Sequence, residues 1–109
     1  MGTRYKLVFF APAASIEAIK KAIFAAGAGQ HDGYTECCFT TPGTGQFVAG
    51  QMANPAIGRR GILEMVEEVR CETSCVGSYT TKRVVEALKN LEAHPYEVPV
   101  YEVIKLEDF

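Results

Sequence analysis

"RYKLVFFAPAASIEAIKKAIFAAGAG", residues 4–29, decides the fold of this chain because it predicts a strand followed directly by a helix. The first part of the segment alternates, and Leu7 and Phe9 point to one face of the strand. Val8 and Phe10 point to the opposite face, so both faces are apolar. A strand with two apolar faces requires cover on both sides.

The helix in this segment is predicted from a stripe of isoleucines. Ile16, Ile19 and Ile23 recur at helical spacing, and the lysines lie off the stripe. Ser15 is the predicted N-cap, and Gly27 supplies the usual glycine end. A strand and a helix in this order make the first half of a βαβ unit.

The rest of the chain extends this pattern. Further strands are predicted over residues 33–41, 62–76 and 98–106, with a second helix over residues 80–94. Thr80 or Thr81 caps the second helix, and Pro95 stops it. The order βαββαβ with right-handed crossovers predicts a ferredoxin-like α+β fold, in which both helices cover one face of a four-stranded antiparallel sheet. We expect residues 1–109 to form a single domain.

Composition and charge limit the classes of function. The chain has 109 residues, of which 48% are hydrophobic, and its formal net charge is −2. Without a basic excess we expect no nucleic-acid partner, because such binding displaces counterions from phosphates. No segment approaches the roughly 20 apolar residues that span a bilayer, and the first residues lack the apolar core of a signal peptide. We therefore expect a cytoplasmic protein with reduced cysteines and no membrane partner.

The predicted sheet has one face without helices, and Val8 and Phe10 lie on it. An uncovered apolar face indicates contact with another subunit, so we expect a homo-oligomer with these two residues in the interface. In the alternative, the long connection between the second and third strands folds back over the same face.

That connection, "TTPGTGQFVAGQMANPAIGRRG" at residues 40–61, is the main functional lead. It combines glycines with apolar residues, which predicts an ordered, extended hairpin loop rather than a flexible linker. We interpret Phe47 and Ile57 as a clasp against a neighbouring subunit. Exposed N–H groups of closely spaced glycines can bind a ligand, and the candidate ligand site consists of Gly43, Thr44, Gly45, Gln46, Phe47 and Asn54. In the alternative, Gly43 and Gly45 only supply the positive φ of a tight turn.

Three residues are candidate ligands of a divalent or copper ion. His94 and Glu97 stand together in "HPYE", and imidazole and carboxylate groups bind such cations. Cys37 supplies a thiol, and thiolates favour copper(I) or zinc. The alternatives are structural. His94 suits the last turn of a helix, and the cysteines suit small apolar core positions. If the cysteines instead bind a metal, one cysteine of the Cys37–Cys38 pair can face Cys71 or Cys75 on a neighbouring strand.

Six short stretches in order along the chain carry a family resemblance: "YKLVFFAP", "AAGAG", "GTGQF", "ANPAIG", "EEVRCET" and "AHPYEVPVYEV". Together they resemble the YqfO-type domain, which many bacteria carry as an insert in the Nif-three-like proteins with a dinuclear metal centre. The resemblance runs from about Tyr5 to Leu106. It implies a fold similar to the PII signalling proteins and the CutA proteins, which are trimers with inward-facing sheets. A trimer is therefore preferred over a dimer.

What the resemblance implies about activity is narrow. The metal centre and the catalytic parts of the larger family belong to flanking domains, and this chain resembles the insert standing alone. It departs from the family pattern at Cys38, where serine is common, and at Cys71 and Cys75, where aliphatic residues are common. We expect a non-catalytic oligomeric domain that binds or senses a small ligand or metal ion, or docks on a partner protein, through residues 41–61. A metal-dependent enzyme subunit and a purely structural oligomerisation module are the alternatives.

Overall fold

The computed structural model describes residues 2–52, 58–91 and 99–109. In chain order, the elements are β1 (Arg4–Ala11), α1 (Ala13–Ala25), β2 (Cys38–Val48), β3 (Leu63–Val76), α2 (Ser78–Lys89) and β4 (Tyr101–Lys105). One sheet holds the strands in the order β2–β3–β1–β4, and each neighbouring pair is antiparallel. The predicted ferredoxin-like fold is confirmed. Neither helix in the described ranges has the length and apolar content needed to cross a membrane.

The hydrophobic core lies between the sheet and the two helices. In β1, Leu7 and Phe9 are fully buried under the predicted isoleucine stripe of α1. In β3, Cys71 and Cys75 are equally buried, as expected for cysteines at small apolar core positions. The core cluster consists of Leu7, Phe9, Ala11, Ile16, Ile19, Ile23, Ala28, Cys71, Cys75, Val84 and Leu88.

Both helices begin earlier than the sequence predicts. α1 follows Pro12 directly, so the N-cap predicted at Ser15 is wrong, and the Ser15 N–H donates to the Pro12 carbonyl at 2.9 Å inside the first turn. Pro12 holds the backbone directly before α1 in an extended conformation, and the two alanines after it favour helix formation. α2 follows Gly77, and the hydroxyl of Thr81, a predicted cap, donates to the Gly77 carbonyl at 2.7 Å from within the helix. α2 ends at Lys89 rather than at residue 94.

The second and third strands form a hairpin that is longer than predicted. Residues 41–48, predicted as a loop, are the outer part of β2 and pair antiparallel with residues 63–70 of β3. We call these two segments the β2–β3 arm. β3 has 14 residues, which span about 46 Å at the usual rise per residue, and the molecule is 47 Å long. The hairpin therefore runs along the whole molecule, and the connection between its strands is limited to residues 49–62.

The residues that suggest a turn in this hairpin adopt a strand conformation. Pro42 is tolerated because β2 is an edge strand, so a missing N–H on its outer side breaks no pairing. Gly43 and Gly45 have extended backbone rather than positive φ. The tight turn considered as the alternative for these two glycines is therefore wrong.

The two ends of the fold meet beside β1. β4 lies antiparallel to β1 and forms the second edge of the sheet. Beyond the end of β4, the Leu106 N–H donates to the Arg4 carbonyl at 2.9 Å. The residues that enter the first strand and leave the last strand are therefore direct neighbours.

Candidate functional site

The β2–β3 arm exposes large apolar side chains on both of its faces. Register places Phe47 opposite Glu64 on the face that lacks helices. Val48 and Leu63 are paired on the other face, where Met65 follows along β3. The exposed fraction of these four apolar side chains runs from 36% for Phe47 to 63% for Met65. The arm is therefore an apolar surface that the described part of the chain does not cover.

Four of the predicted ligand residues, Gly43, Thr44, Gly45 and Gln46, lie in one row along the arm. Successive residues of an extended strand point to opposite faces, so the side chains of this row do not converge on one point. A Cβ added at Gly45 would lie 2.6 Å from Oε1 of Glu68, which means that the glycine makes room for a carboxylate. The negative charge of Glu68 opposes binding of an anion at this place.

Several predicted site residues lie outside the described part of the chain. These are Asn54, Ile57, His94 and Glu97. Cys37 is described: it precedes β2, is half-buried, and its Sγ donates to the Thr35 carbonyl at 3.8 Å. Among the described residues, no three side chains of the metal-binding types come together. A metal site at His94, Glu97 and Cys37 stays a prediction.

The sheet face away from the helices carries a polar network. Lys6 Nζ lies 3.2 Å from Oε1 of Glu72, and Arg70 Nε lies 3.2 Å from its Oε2. Hydrogen bonds from Lys6 and Arg70 hold the pKa of the Glu72 carboxyl below its usual range. The Arg70 guanidinium also lies 5.7 Å from the centre of the Phe10 ring. This face is therefore not the bare apolar surface that the alternation of β1 alone indicates.

The two predicted interface residues on this face differ in exposure. Val8 is fully buried within the single chain, opposite Glu72 in register, whereas Phe10 is only half-buried. The exposed apolar residues of the same face include Phe39 on β2 and Ile104 on β4, besides Phe47 in the arm. Any contact with another subunit on this face would rest mainly on the exposed residues rather than on Val8.

A groove of about 840 Å³ lies between α1 and the segment that leads into β2. Its lining includes Lys20 and Phe24 from α1, and Glu36 and Cys38 from the opposite wall. Glu36 has a φ of 57°, in the left-handed region that non-glycine residues rarely adopt. On the α1 wall, Lys20 Nζ lies 3.1 Å from Oε2 of Glu17. The groove thus combines charged groups, one aromatic ring and one thiol.

Cys38 lines this groove and packs against the core cluster that contains Cys71. In the register of β2 with β3, Cys38 is opposite Thr73 and Cys71 is opposite Thr40, so the cysteines are diagonal neighbours on the helix side. Burial and the neighbouring Cys38 raise the pKa of the Cys71 thiol to about 12. The Lys20 side chain lines the same groove as Cys38. In this register, Cys38 is not directly opposite Cys71 or Cys75, and its place beside Cys71 is a diagonal one.

The sequence does not reveal Lys20 as a neighbour of these thiols. By helical spacing, Lys20 lies off the isoleucine stripe and is predicted to face solvent. Lys20 directly follows the buried Ile19 and therefore lies at the border of the stripe. This border position is the sequence feature that indicates partial burial of Lys20. Its side chain is only 22% exposed.

Comparison with known proteins identifies relatives over nearly the whole chain. No protein-family profile matches. The chain is 39% identical over 102 residues to the GTP cyclohydrolase 1 type 2 homolog of Halalkalibacterium halodurans, a match that covers 94% of this chain and 27% of that protein. The solved structure of a Bacillus cereus protein related to NIF3 is similar with a TM-score of 0.82 at 36% identity, covering 98% of this chain and 26% of that one. The chain thus spans about a quarter of the length of the curated relatives that it matches.

Two further solved structures are similar at lower identity. GlnK of B. subtilis has a TM-score of 0.62 at 16% identity, covering 96% of this chain and 86% of its own. The periplasmic divalent cation tolerance protein CutA from Archaeoglobus fulgidus has a TM-score of 0.67 at 18% identity, covering 97% of this chain and 86% of its own. These two likenesses show the fold alone.

Proposed function

Because this chain is a YqfO-type domain with the PII/CutA-like fold, we propose that it is a non-catalytic binding module that assembles with copies of itself. The observation that carries the proposal is the β2–β3 arm, whose apolar side chains are uncovered on both faces. Contiguous apolar surface of this kind marks interaction sites on soluble proteins. A second copy is the proposed occupant, because β2 and β4 are the edge strands of the sheet in the part of the chain that the structure describes.

The proposed assembly is a ring, with a trimer preferred over a dimer. The two edges of the sheet differ: β2 has 11 residues and β4 has 5. A contact between the arm of one copy and a different surface of the next copy is heterologous, and such contacts form a ring when the rotation between copies closes. A dimer would instead pair identical surfaces, and the open sheet face with Phe39 and Ile104 is the surface that would serve it.

Residues 41–61 are the proposed contact for a ligand or a partner protein. We assign the clasp to Phe47 and Ile57, and the ligand contact to Gly43, Thr44, Gly45, Gln46, Phe47 and Asn54. The support for this assignment is the outer edge of β2, where extended backbone remains available for pairing. The carboxylate of Glu68 beside Gly45 favours a cation or a hydrogen-bond donor over an anion as the ligand.

A second function is a subunit role in a metal-dependent enzyme. The observation that favours it is the 39% identity to a protein named as a GTP cyclohydrolase homolog, of which this chain matches 27%. In that role, this chain contributes assembly as one domain, residues 1–109, and other segments supply the catalytic groups.

Native mass spectrometry of micromolar protein purified without chelators tests the proposal. We expect a trimer for the wild type, and a shift to monomer for Met65→Glu, which places a charge in a desolvated contact. Tyr79→Glu changes an exposed aromatic residue on α2 and is the matched control that should keep the trimer. Phe47→Ala separates the two roles of the arm: loss of the oligomer assigns Phe47 to the clasp, and an intact oligomer that no longer binds its ligand assigns it to the site. A monomeric wild type would refute the proposal.

A further inference from the structure

The Cys38–Cys71 pair lies apart from the arm and goes beyond the proposed function. The two cysteines belong to neighbouring strands, and the register makes them diagonal neighbours on the helix side of the sheet. Cys71 is fully buried, whereas Cys38 is half-buried and lines the groove. We propose that these two sulfurs form a binding site for a soft monovalent cation of the copper(I) type, which enters through the groove.

The donor set selects the class of metal. Thiolate sulfur is a soft ligand that selects copper(I) over hard cations such as magnesium and calcium. A closed zinc site needs four ligands in tetrahedral arrangement, and no three metal-binding side chains come together among the described residues. A monovalent cation with a filled d shell differs from zinc, because two sulfur ligands in a nearly linear arrangement satisfy it.

Strand geometry favours a bridging cation over a disulfide. Diagonal neighbours on paired strands have Cα atoms about 7–8 Å apart, whereas a disulfide requires Cα atoms within about 4.4–6.8 Å. Metal–sulfur bonds of about 2.3 Å, as in zinc thiolates, place the two sulfurs of a linear bridge about 4.6 Å apart. Cys38 and Cys71 are diagonal neighbours, so they accommodate the longer bridge without movement of β2 against β3.

Charge balance explains the role of Lys20. Binding releases one proton from each thiol, and the resulting bis-thiolate complex of a monovalent cation carries one negative charge. The Lys20 ammonium group, which lines the same groove as Cys38, supplies the compensating positive charge. Because both ligands must lose their protons, the affinity falls as the pH is lowered.

A competition titration tests this site. The reduced wild-type chain is titrated anaerobically with copper(I) held by a coloured chelator, and the loss of chelator colour gives stoichiometry and affinity. We expect one copper(I) per chain. Cys38→Ser and Cys71→Ser should each weaken binding at least tenfold, while Lys20→Met should weaken it about threefold.

The chain offers a matched control for this site. Cys75→Ser changes a thiol as buried as Cys71 on the same face of β3. This control variant should bind copper(I) like the wild type. Because Cys38 is half-buried, Cys38→Ser keeps the test valid where a change at Cys71 disturbs folding. Equal binding by Cys38→Ser and the wild type would overturn the proposal, whatever the oligomeric state.

Discussion

Gly29 joins three parts of the fold, and a methyl group there should be expensive. Its N–H donates to the Ser74 carbonyl at 2.8 Å, and its carbonyl accepts from the Cys37 N–H at 2.8 Å. Its φ is +80°, and an added Cβ would lie 2.9 Å from both the Cys37 nitrogen and Cε1 of Phe24. The Cys37 nitrogen belongs to the backbone, so the contact cannot be relieved by turning a side chain. Gly29→Ala should therefore strain the backbone conformation and the packing together.

Alanine substitutions at three glycines distinguish the cost of the backbone conformation from the cost of packing. A left-handed conformation costs an alanine about 1–2 kcal/mol, and overpacking adds about 1–3 kcal/mol. Gly29→Ala incurs both costs, so its free energy of unfolding should fall by about 2–5 kcal/mol. Gly33 also has a positive φ, +84°, but nothing lies within 4 Å of the added Cβ, so Gly33→Ala incurs only the first cost. Gly43 has neither feature, and Gly43→Ala should change stability by no more than about 0.5 kcal/mol.

Urea denaturation of the three variants at one protein concentration measures these differences. We expect the order of stability to be Gly43→Ala, then Gly33→Ala, then Gly29→Ala, with unchanged slopes against urea. If Gly29→Ala is as stable as Gly43→Ala, then residue 29 does not join α1, β2 and β3 as described, and the reasoning fails.

Three further predictions concern charge, burial and the core. Lys6→Met should raise the pKa of Glu72 in an NMR titration. Because that pKa is depressed in the folded state, the interaction stabilises the fold at neutral pH. This stabilisation is lost as the pH falls through the acidic range where Glu72 takes up its proton. An unchanged pKa would refute the Lys6 contact. Burial raises the pKa of the Cys75 thiol, so its contribution is complete below the ordinary thiol pKa and is lost as the pH rises; above it, stability should fall by up to about 1.4 kcal/mol per pH unit for this group, and Cys75→Ala should remove that share of the slope while the share of Cys71 remains. Leu88→Ala should cost about 2–5 kcal/mol in urea denaturation, whereas Met52→Ala, at a side chain that is 98% exposed, should cost almost nothing; equal costs would contradict the core assignment.

The fold follows from the sequence where the patterns are strong. β3 alternates along its length, and its predicted start differs from the observed one by a single residue. β2 is less predictable because Pro42, Gly43 and Gly45 are poor strand formers. These residues are extended because each of them pairs with β3. Pairing between strands is a tertiary effect, and the strand propensity of single residues does not predict it.

The proximity of Cys38 and Cys71 depends on the register between β2 and β3, which the sequence predicts only loosely. A slip of one residue would send Cys38 to the opposite face of the sheet, away from Cys71. The sequence predicts that a cysteine of the neighbouring pair reaches β3, but it does not select between Cys71 and Cys75. The observed register, with Cys38 opposite Thr73, makes that selection.

The hydrogen bond between Leu106 and Arg4 has a consequence for how this unit combines with other proteins. The residues at which the chain enters and leaves this fold are adjacent, so the whole unit can be inserted into one surface loop of a longer protein. The host would need only a short opening, and the unit would need no change in its own strands. A unit of this shape can thus occur as an insert in proteins of different architecture, which agrees with a match to about a quarter of much longer relatives.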